Sequence, residues 1–272
     1  MIQNFWRMMV ILFFAVHPCP LYSDVIDIQS QLTVNQSADQ LTLALELSNK
    51  GSIRAIDVSV AIQFLETMQQ SKIIDCFTSG QTKTIRMNVA VPEDKKGAFP
   101  LICEIQFHDD NLFPFFSLYC TNIYLRTRKF SETLTATIKD IYISDQQTVS
   151  VLVQNNESKD QNIIARIILP GALTCKNDSR NIVLMNAPLE TVLFQIFKKD
   201  ALPASHHRGY VLMNYIKNSI HHSIITPFSI HVDSNEMNGH LTKKYLLWGF
   251  TGLTLIWILI ISIYSRVNAR RP

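Results

Sequence analysis

The sequence contains none of the short motifs that mark common catalytic sites. There is no G-x-S-x-G turn for a nucleophilic serine, no H-E-x-x-H zinc motif, no P-loop and no dinucleotide fingerprint. Each of these motifs holds reacting groups at a fixed spacing, so its absence argues against the chemistry that depends on it. We therefore expect no enzyme and no cofactor. A serine, a histidine and an aspartate brought together only by folding stay an open alternative.

Charge clusters, cysteine pairs and helical periodicity are also scarce. The net charge is only +3, and the basic residues are scattered, which argues against a nucleic-acid surface. No C-x-x-C occurs, which argues against a thioredoxin-like redox site or a zinc ribbon. Few apolar residues recur at intervals of three and four, whereas alternation with a period of two recurs along most of the chain. The sequence therefore predicts an all-β protein.

The N-terminus carries a short apolar run, "MMVILFFAV", between Arg7 and the breaker-rich "HPCPLYS". A basic start, an apolar centre and a neutral end are the three parts of a secretory signal peptide. The run is too short to cross a bilayer, which takes roughly 20 residues. We predict a signal peptide over residues 1–23; an uncleaved or buried N-terminal helix is the alternative.

The C-terminus carries a longer uncharged run, "YLLWGFTGLTLIWILIISIY", over residues 245–264. Its length suits a transmembrane helix, and the arginines that follow it place that end in the cytoplasm. We predict a single-pass type I membrane protein with a juxtamembrane linker over 234–244 and a short cytoplasmic tail over 265–272. The rest of the chain then lies outside the cytoplasm, on a bacterial inner membrane or, in a eukaryote, on the plasma or ER membrane. A bacterial sorting tail is the alternative, although its usual signature is absent.

Two segments about a hundred residues apart repeat the same alternation and turn chemistry. Residues 40–64 and 147–169 each contain two alternating strands around an asparagine turn. Seven or so short strands in about a hundred residues are typical of an immunoglobulin-like sandwich. We predict two tandem immunoglobulin-like β-sandwich domains, 24–127 and 128–233.

The core and turn positions resemble those of a known domain class. The patterns "LxLxLxxxNxG", "AxxVxVxI" and "TxxxxxxVxxP" follow one another from Leu41 to Pro92. In this order they resemble CARDB, a class of bacterial cell-adhesion-related domains. The resemblance covers both repeats, although Glu157 and Ser158 stand where the second turn glycine would be. It implies extracytoplasmic interaction or spacer modules and supplies no catalytic residues.

Cys103 and Cys120 lie on the two strands of one predicted hairpin, centred near Asn111. Residues opposite each other on antiparallel strands have Cβ atoms about 4.5–5.5 Å apart, close to what a disulfide needs. We predict this disulfide, with two buried free thiols as the alternative.

Histidine pairs occur at 206–207 and 221–222. A strand of several residues holds the pairs roughly 20 Å apart, too far for one metal site. The acidic "HDDN" at 108–111 has the ordinary composition of a hairpin turn. We therefore predict no metal site.

The apolar stretch "NLFPFFSLY" at 111–119 falls in the loop between the last two strands of the first domain. In a sandwich this loop lies beside the loop between the second and third strands. Apolar loop residues are costly to expose, and such loops commonly bind partners. The predicted partner-binding residues are Asn49, Lys50, Gly51, Ser52, Leu112, Phe113, Pro114 and Phe115. The alternative is that the phenylalanines fold back and plug the sandwich.

The predicted function follows from these features. We expect a membrane-anchored extracytoplasmic interaction or scaffold protein that presents its tandem sandwich to a protein partner. The first domain should raise its binding tip away from the membrane, and the loops at 155–160 and 219–222 should face it across a polar, hydrated joint. The alternative is an accessory subunit of a membrane enzyme or transporter complex, held through its transmembrane helix.

Overall fold

A computed structural model describes residues 26–37, 39–130, 132–157, 160–184 and 189–234. These ranges contain seventeen β-strands and no helix, so the predicted all-β class is confirmed. The predicted signal peptide, transmembrane helix and cytoplasmic tail lie outside the described residues, as does nearly all of the linker. Within the described ranges, no helix has the length and apolar character needed to cross a membrane.

The first half of the chain forms a β-sandwich of two facing sheets. Its strands are β1 (Ile28–Gln36), β2 (Gln40–Asn49), β3 (Ala55–Phe64), β4 (Thr67–Gln70), β5 (Ile74–Phe77), β6 (Thr82–Ala90), β7 (Gly97–His108) and β8 (Pro114–Leu125). One sheet has the order β1-β2-β6; in the other, β7 lies between β8 and β3, and β3 also pairs with β4 and β5. Leu43, Leu45 and Leu47 are almost fully buried, because every second side chain of a strand points to the same face.

The second half forms a similar sandwich. Its strands are β9 (Leu134–Ile138), β10 (Ile141–Ile143), β11 (Gln146–Asn155), β12 (Gln161–Ile168), β13 (Leu173–Cys175), β14 (Ser179–Leu184), β15 (Leu189–Lys198), β16 (His206–Lys217) and β17 (Ile220–Val232). A four-stranded sheet, β13-β15-β11-β9, faces β14-β12-β16-β17, and β10 runs parallel to the end of β17. Val149, Val151 and Val153 fill this core together with Phe194. β1, β2 and β6 of the first half correspond to β9, β11 and β15 of the second half, and each of these sets shares one sheet. The last hairpin of each half, β7–β8 or β16–β17, belongs to the other sheet. This is the immunoglobulin-like arrangement.

The two sandwiches contact each other through the outer faces of their hairpin sheets. Ile102, Leu118 and Cys120 of the first pack against Ile168, Tyr210 and Leu212 of the second, and all six are buried. At the margin, the Asn122 side-chain amide donates a hydrogen bond to the Ser223 carbonyl at 2.6 Å. The expectation of a polar, hydrated joint is therefore wrong, because apolar side chains on both faces exclude water from its centre.

A single backbone contact also joins the two sheets edge to edge. Gly97 pairs with His221 in parallel register. Gly97 has φ +130°, and a Cβ atom there would lie 2.0 Å from the His221 carbonyl oxygen. Only glycine fits this position. The His221 ring stacks on Phe99 with centroids 4.3 Å apart, so the turn before β17 does face the first sandwich, as predicted.

The two sandwiches lie side by side rather than end to end. β7 and β17 run in the same direction from their contact, so the loop after β7 and the end of β17 lie at one end of the molecule. Contacts along β8 agree with this direction. Asn122 meets Ser223 near the start of β17. Phe116, nearer the tip, packs on Gly171 beyond the end of β12, which lies across β16 from the later part of β17. The expectation that the first domain raises its tip away from the C-terminal end of the second domain is wrong for this reason.

Candidate partner-binding tip

The two loops predicted to form the binding tip do lie together. They are residues 50–54, between β2 and β3, and residues 109–113, between β7 and β8. Arg54 Nε donates a hydrogen bond to Asp110 Oδ1 at 2.7 Å, which links the loops. This ion pair raises the pKa of the Arg54 guanidinium. Both side chains are about half exposed, so water screens the pair and it contributes little to stability.

The loop at 109–113 is organised around the side chain of Asp109. Its Oδ1 accepts hydrogen bonds from the backbone N–H groups of Asn111 and Phe113, each at 2.9 Å. These bonds accompany a left-handed backbone at Leu112, with φ +61°. Such a conformation is strained for leucine. The Leu112 side chain is nevertheless 66% exposed, so the loop presents a large apolar group to solvent.

The sequence allowed the phenylalanines of the loop either to bind a partner or to fold back and plug the sandwich. Phe115 stacks on Phe107, with centroids 5.5 Å apart, and packs against the first core. Phe113 meets the edge of Phe115 at 5.4 Å, and both rings are partly buried, as is Pro114. Phe115 therefore acts as the plug of the sandwich end, and Phe113 rests on it.

Asn49 and Gly51 have a structural role inside the other loop. The Asn49 amide nitrogen donates to the carbonyls of Ile53 at 2.8 Å and Phe77 at 3.0 Å, while its oxygen accepts from Gly51 N at 3.0 Å. Asn49 is 0% exposed and Gly51 is buried. Direct contact of these two residues with a partner, as predicted, is incompatible with this burial. Lys50 and Ser52 are exposed.

The predicted disulfide does not form, because the hairpin register differs by one residue from the expected one. Cys103 faces Tyr119, and Cys120 faces Ile102. A shift of one residue reverses the face to which a side chain points. Cys103 therefore points into the first core and Cys120 into the joint, and both thiols are free. Burial raises the pKa of each thiol to about 12.

The histidine pairs occupy different parts of the second sandwich. His206 lies opposite His231 near the end of β17, whereas His221 and His222 lie at the joint. Burial lowers the pKa of both joint histidines. In the part of the chain that the structure describes, no group of three His, Cys, Asp or Glu side chains could hold a metal ion.

Sequence reasoning identified Asp109 and Asp110 as hairpin-turn residues, but it did not predict that Asp109 shapes the loop or that Arg54 and Asp110 join the two loops. The sequence did carry a signal for the Arg54–Asp110 pair, because these residues have opposite charges and lie in two loops that were expected to be neighbours. The tip is therefore redefined here as Lys50, Ser52, Leu112, Phe113 and Pro114, supported by these three residues.

The fold and this site define an immunoglobulin-like double sandwich with an exposed apolar loop. No family model matches the chain, and no curated protein sequence matches it. Similarity to solved structures is low. An Escherichia coli alpha-2-macroglobulin activated by porcine elastase matches at 11% identity and a TM-score of 0.30, over 78% of this chain and 22% of that one. A red sea bream transglutaminase matches at 13% identity and a TM-score of 0.25, over 74% and 31%.

A protein of unknown function from Porphyromonas gingivalis W83 matches at 11% identity and a TM-score of 0.30, over 76% of this chain and 99% of that one. The chain thus spans only 22% of the alpha-2-macroglobulin and 31% of the transglutaminase. The fold assignment rests on the strand order described above.

Proposed function

We propose that the protein is a membrane-anchored extracytoplasmic interaction or scaffold protein that binds a protein partner through the tip. In this proposal residues 1–23 direct export and residues 245–264 anchor the chain as a single-pass type I protein. The two sandwiches act as CARDB-like modules with no catalytic residues. The observation that carries the proposal is Leu112, an exposed apolar side chain on a strained and hydrogen-bonded loop.

The energetics of Leu112 favour a covered state. A non-glycine residue in the left-handed region costs on the order of 1–2 kcal/mol, and Asp109 maintains that conformation through two hydrogen bonds. Burying a leucine side chain contributes roughly 1.5–3 kcal/mol. A partner with an apolar pocket would gain this energy without having to order the loop. Lys50 and Ser52 would form the polar rim of such a contact.

The direction of the tip supports a second candidate, an accessory subunit of a membrane enzyme or transporter complex. The tip and the end of β17 lie at the same end of the molecule. The predicted linker that follows reaches at most ~40 Å when extended. If the anchor is as predicted, the tip faces the bilayer. A partner embedded in the same membrane would meet the tip there.

Site-specific photocrosslinking in membranes tests the tip. A photoreactive residue at Leu112 should give a defined adduct with one protein, whereas the same residue at Met68, 72% exposed on β4, should not. Leu112→Asn should abolish the adduct formed from a probe at Lys50 without unfolding the chain, because asparagine tolerates the left-handed region. Equal adducts at Leu112 and Met68, or an unchanged Lys50 adduct in Leu112→Asn, would refute the tip proposal.

Replacing residues 245–264 by an unrelated apolar helix separates the two candidates. A tethered binder should keep the Leu112 adduct, because only the ectodomain makes the contact. An accessory subunit should lose it, because its own helix also holds the complex.

A further inference from the structure

Two histidines meet on the outer face of the second sandwich, where β16 begins and β17 ends. His206 lies directly opposite His231 in the antiparallel register of these strands. Their Nδ1 atoms are 2.7 Å apart, and their rings meet edge to face with centroids 4.7 Å apart. Alternation turns the ring of His231 away from the core, because Ile230 and Val232 on either side of it are buried. We call His206 and His231 the cross-strand pair.

The contact between the two Nδ1 atoms is a hydrogen bond in which one ring donates and the other accepts. At most one of the two nitrogens therefore carries a proton, and the other presents its lone pair. A neutral imidazole carries its single proton on either ring nitrogen, so both Nδ1 atoms present lone pairs when both protons are on Nε2. Imidazole nitrogens are ligands that late transition metals prefer. A metal ion can thus take the place of the shared proton.

The separation of the two nitrogens suits a metal that holds its ligands at right angles. Two nitrogens at about 2.0 Å from a metal are about 2.8 Å apart at a right angle and about 3.3 Å apart at the tetrahedral angle. The observed 2.7 Å is close to the first value. Right angles are typical of the square-planar or tetragonal coordination of Cu²⁺ and Ni²⁺. We infer that the cross-strand pair binds one Cu²⁺ or Ni²⁺ ion, with water as the remaining ligands.

The surrounding structure holds the pair in position before any metal arrives. Tyr142 lies beside His231 on β10, and its ring stacks on the His231 ring with centroids 4.8 Å apart. The two strands pair along the whole of β16, so the backbone fixes the separation of the two histidines. Ligands that are already held lose less freedom on binding. His206 is exposed, which gives water access to the remaining coordination positions.

The neighbouring charges neither exclude a cation nor supply a third ligand. The charged residues nearest the pair along the chain are Arg208 and Asp233, each two positions away, and their opposite charges offset each other. The Asp233 carboxylate is engaged elsewhere, since its Oδ2 accepts a hydrogen bond from Ser144 Oγ at 2.7 Å. Among the described residues, no third His, Cys, Asp or Glu completes the site. The pair is therefore a two-ligand site, open to solvent on its other positions.

A bound ion would fasten the last hairpin of the second sandwich at its open end. The first residue of β16 and the end of β17 would then be joined through the metal as well as through the backbone. The two imidazoles are brought together only by this strand register, so the ion should bind the folded chain in preference to the unfolded chain. Such preferential binding raises the melting temperature.

Nickel titration of the full chain in detergent micelles tests the site. Calorimetry should detect Ni²⁺ binding, and saturating Ni²⁺ should raise the melting temperature. His206→Gln and His231→Gln should each weaken that binding at least about tenfold, because loss of a ligand costs no less than loss of a residue that only supports one. His207→Gln is the matched control, since this adjacent ring bonds to Ser205 Oγ at 2.9 Å instead, and it should leave Ni²⁺ affinity unchanged.

Three results would overturn the inference. They are a wild-type chain that does not bind Ni²⁺, a His206→Gln chain that binds it as tightly as the wild type, and an equal loss of affinity in His207→Gln. The second result would assign the metal to another part of the chain. Since His206 is exposed, an unchanged melting temperature of its metal-free variant shows that the fold is retained.

Discussion

The two sandwiches share a strand order but close their last hairpins differently. In the first, five residues, 109–113, connect the strands and present Leu112. In the second, the connection is only Asn218 and Ser219, with φ values of 50° and 60°. Two residues of positive φ make the tight turn that suits a two-residue hairpin. The short polar turn lets β17 approach Gly97, whereas the longer loop is free at the tip, so loop length separates the joint from the candidate binding site.

β2 in the first sandwich and β11 in the second each end in the same asparagine turn, but the two turns differ in how deeply the asparagine is buried. Asn49 accepts a hydrogen bond from Gly51 N, and Asn155 accepts one from Glu157 N, both at 3.0 Å. Asn49 is fully buried, whereas Asn155 is only partly buried. The repeat therefore preserves a turn motif, and burial decides how much stability that motif contributes.

The largest expected effects come from emptying either core. Phe64 and Phe194 are each 1% exposed in the first and second sandwich. Phe64→Ala and Phe194→Ala should each lower the free energy of unfolding by about 3–5 kcal/mol, because each leaves a cavity. Denaturant unfolding of the full chain measures both. Because the joint buries apolar surface from both halves, we expect each variant to unfold in one transition; two separated transitions would show that the sandwiches are independent.

The paired asparagines should differ in a second comparison. Asn49→Ala should lower the free energy of unfolding by about 2–3 kcal/mol, because it leaves the buried carbonyl of Phe77 and the amide of Gly51 without their hydrogen bonds. Asn155→Ala should cost less than Asn49→Ala, because Asn155 is only partly buried and water can replace its contact with Glu157 N. Chemical denaturation of the two variants checks the difference. Equal losses would contradict the role assigned to burial.

The smallest expected effect is a pH dependence that belongs to the joint. Burial lowers the pKa of His221 and His222 below the ordinary 6.5, and Lys95 lowers that of His221 further. For His222, Lys217 and His221 also lower the pKa, while Glu157 opposes them. The folded state thus binds protons less readily than the unfolded state. The contribution of these two histidines to stability should be fully present above the unfolded pKa. It should be lost as the pH drops through 6.5 towards the folded pKa values.

Melting temperatures measured from about pH 7.5 to about pH 5.5 check this prediction. His221→Gln with His222→Gln should reduce the slope of the profile, and the slope that remains should belong to His207, whose pKa burial also lowers. A steeper profile in the double variant would contradict the assignment to the joint.

The alternation of apolar residues was enough to predict the strands, the two sandwiches and the neighbouring tip loops. It could not fix the hairpin register to one residue, which is why Cys103 and Cys120 were wrongly paired. It also predicted a polar joint where the joint is apolar, although β16 carried a signal of apolar contact on both faces. Tyr210 to Met213 are four consecutive buried residues, and a strand apolar on both faces is one covered on both faces. The direction of the tip depended on the contact of Gly97 with His221, which no local pattern reveals.

The joint has a consequence for the order in which the chain folds. Ile102, Leu118 and Cys120 are complete once the first sandwich is made, but their partner Leu212 follows about a hundred residues later. At synthesis rates of about 5–20 residues per second, this apolar strip stays uncovered for roughly 5–20 s. During that interval two nascent chains could associate through it. The nascent chain is thus most prone to aggregate after its first sandwich has folded and before its last hairpin is made.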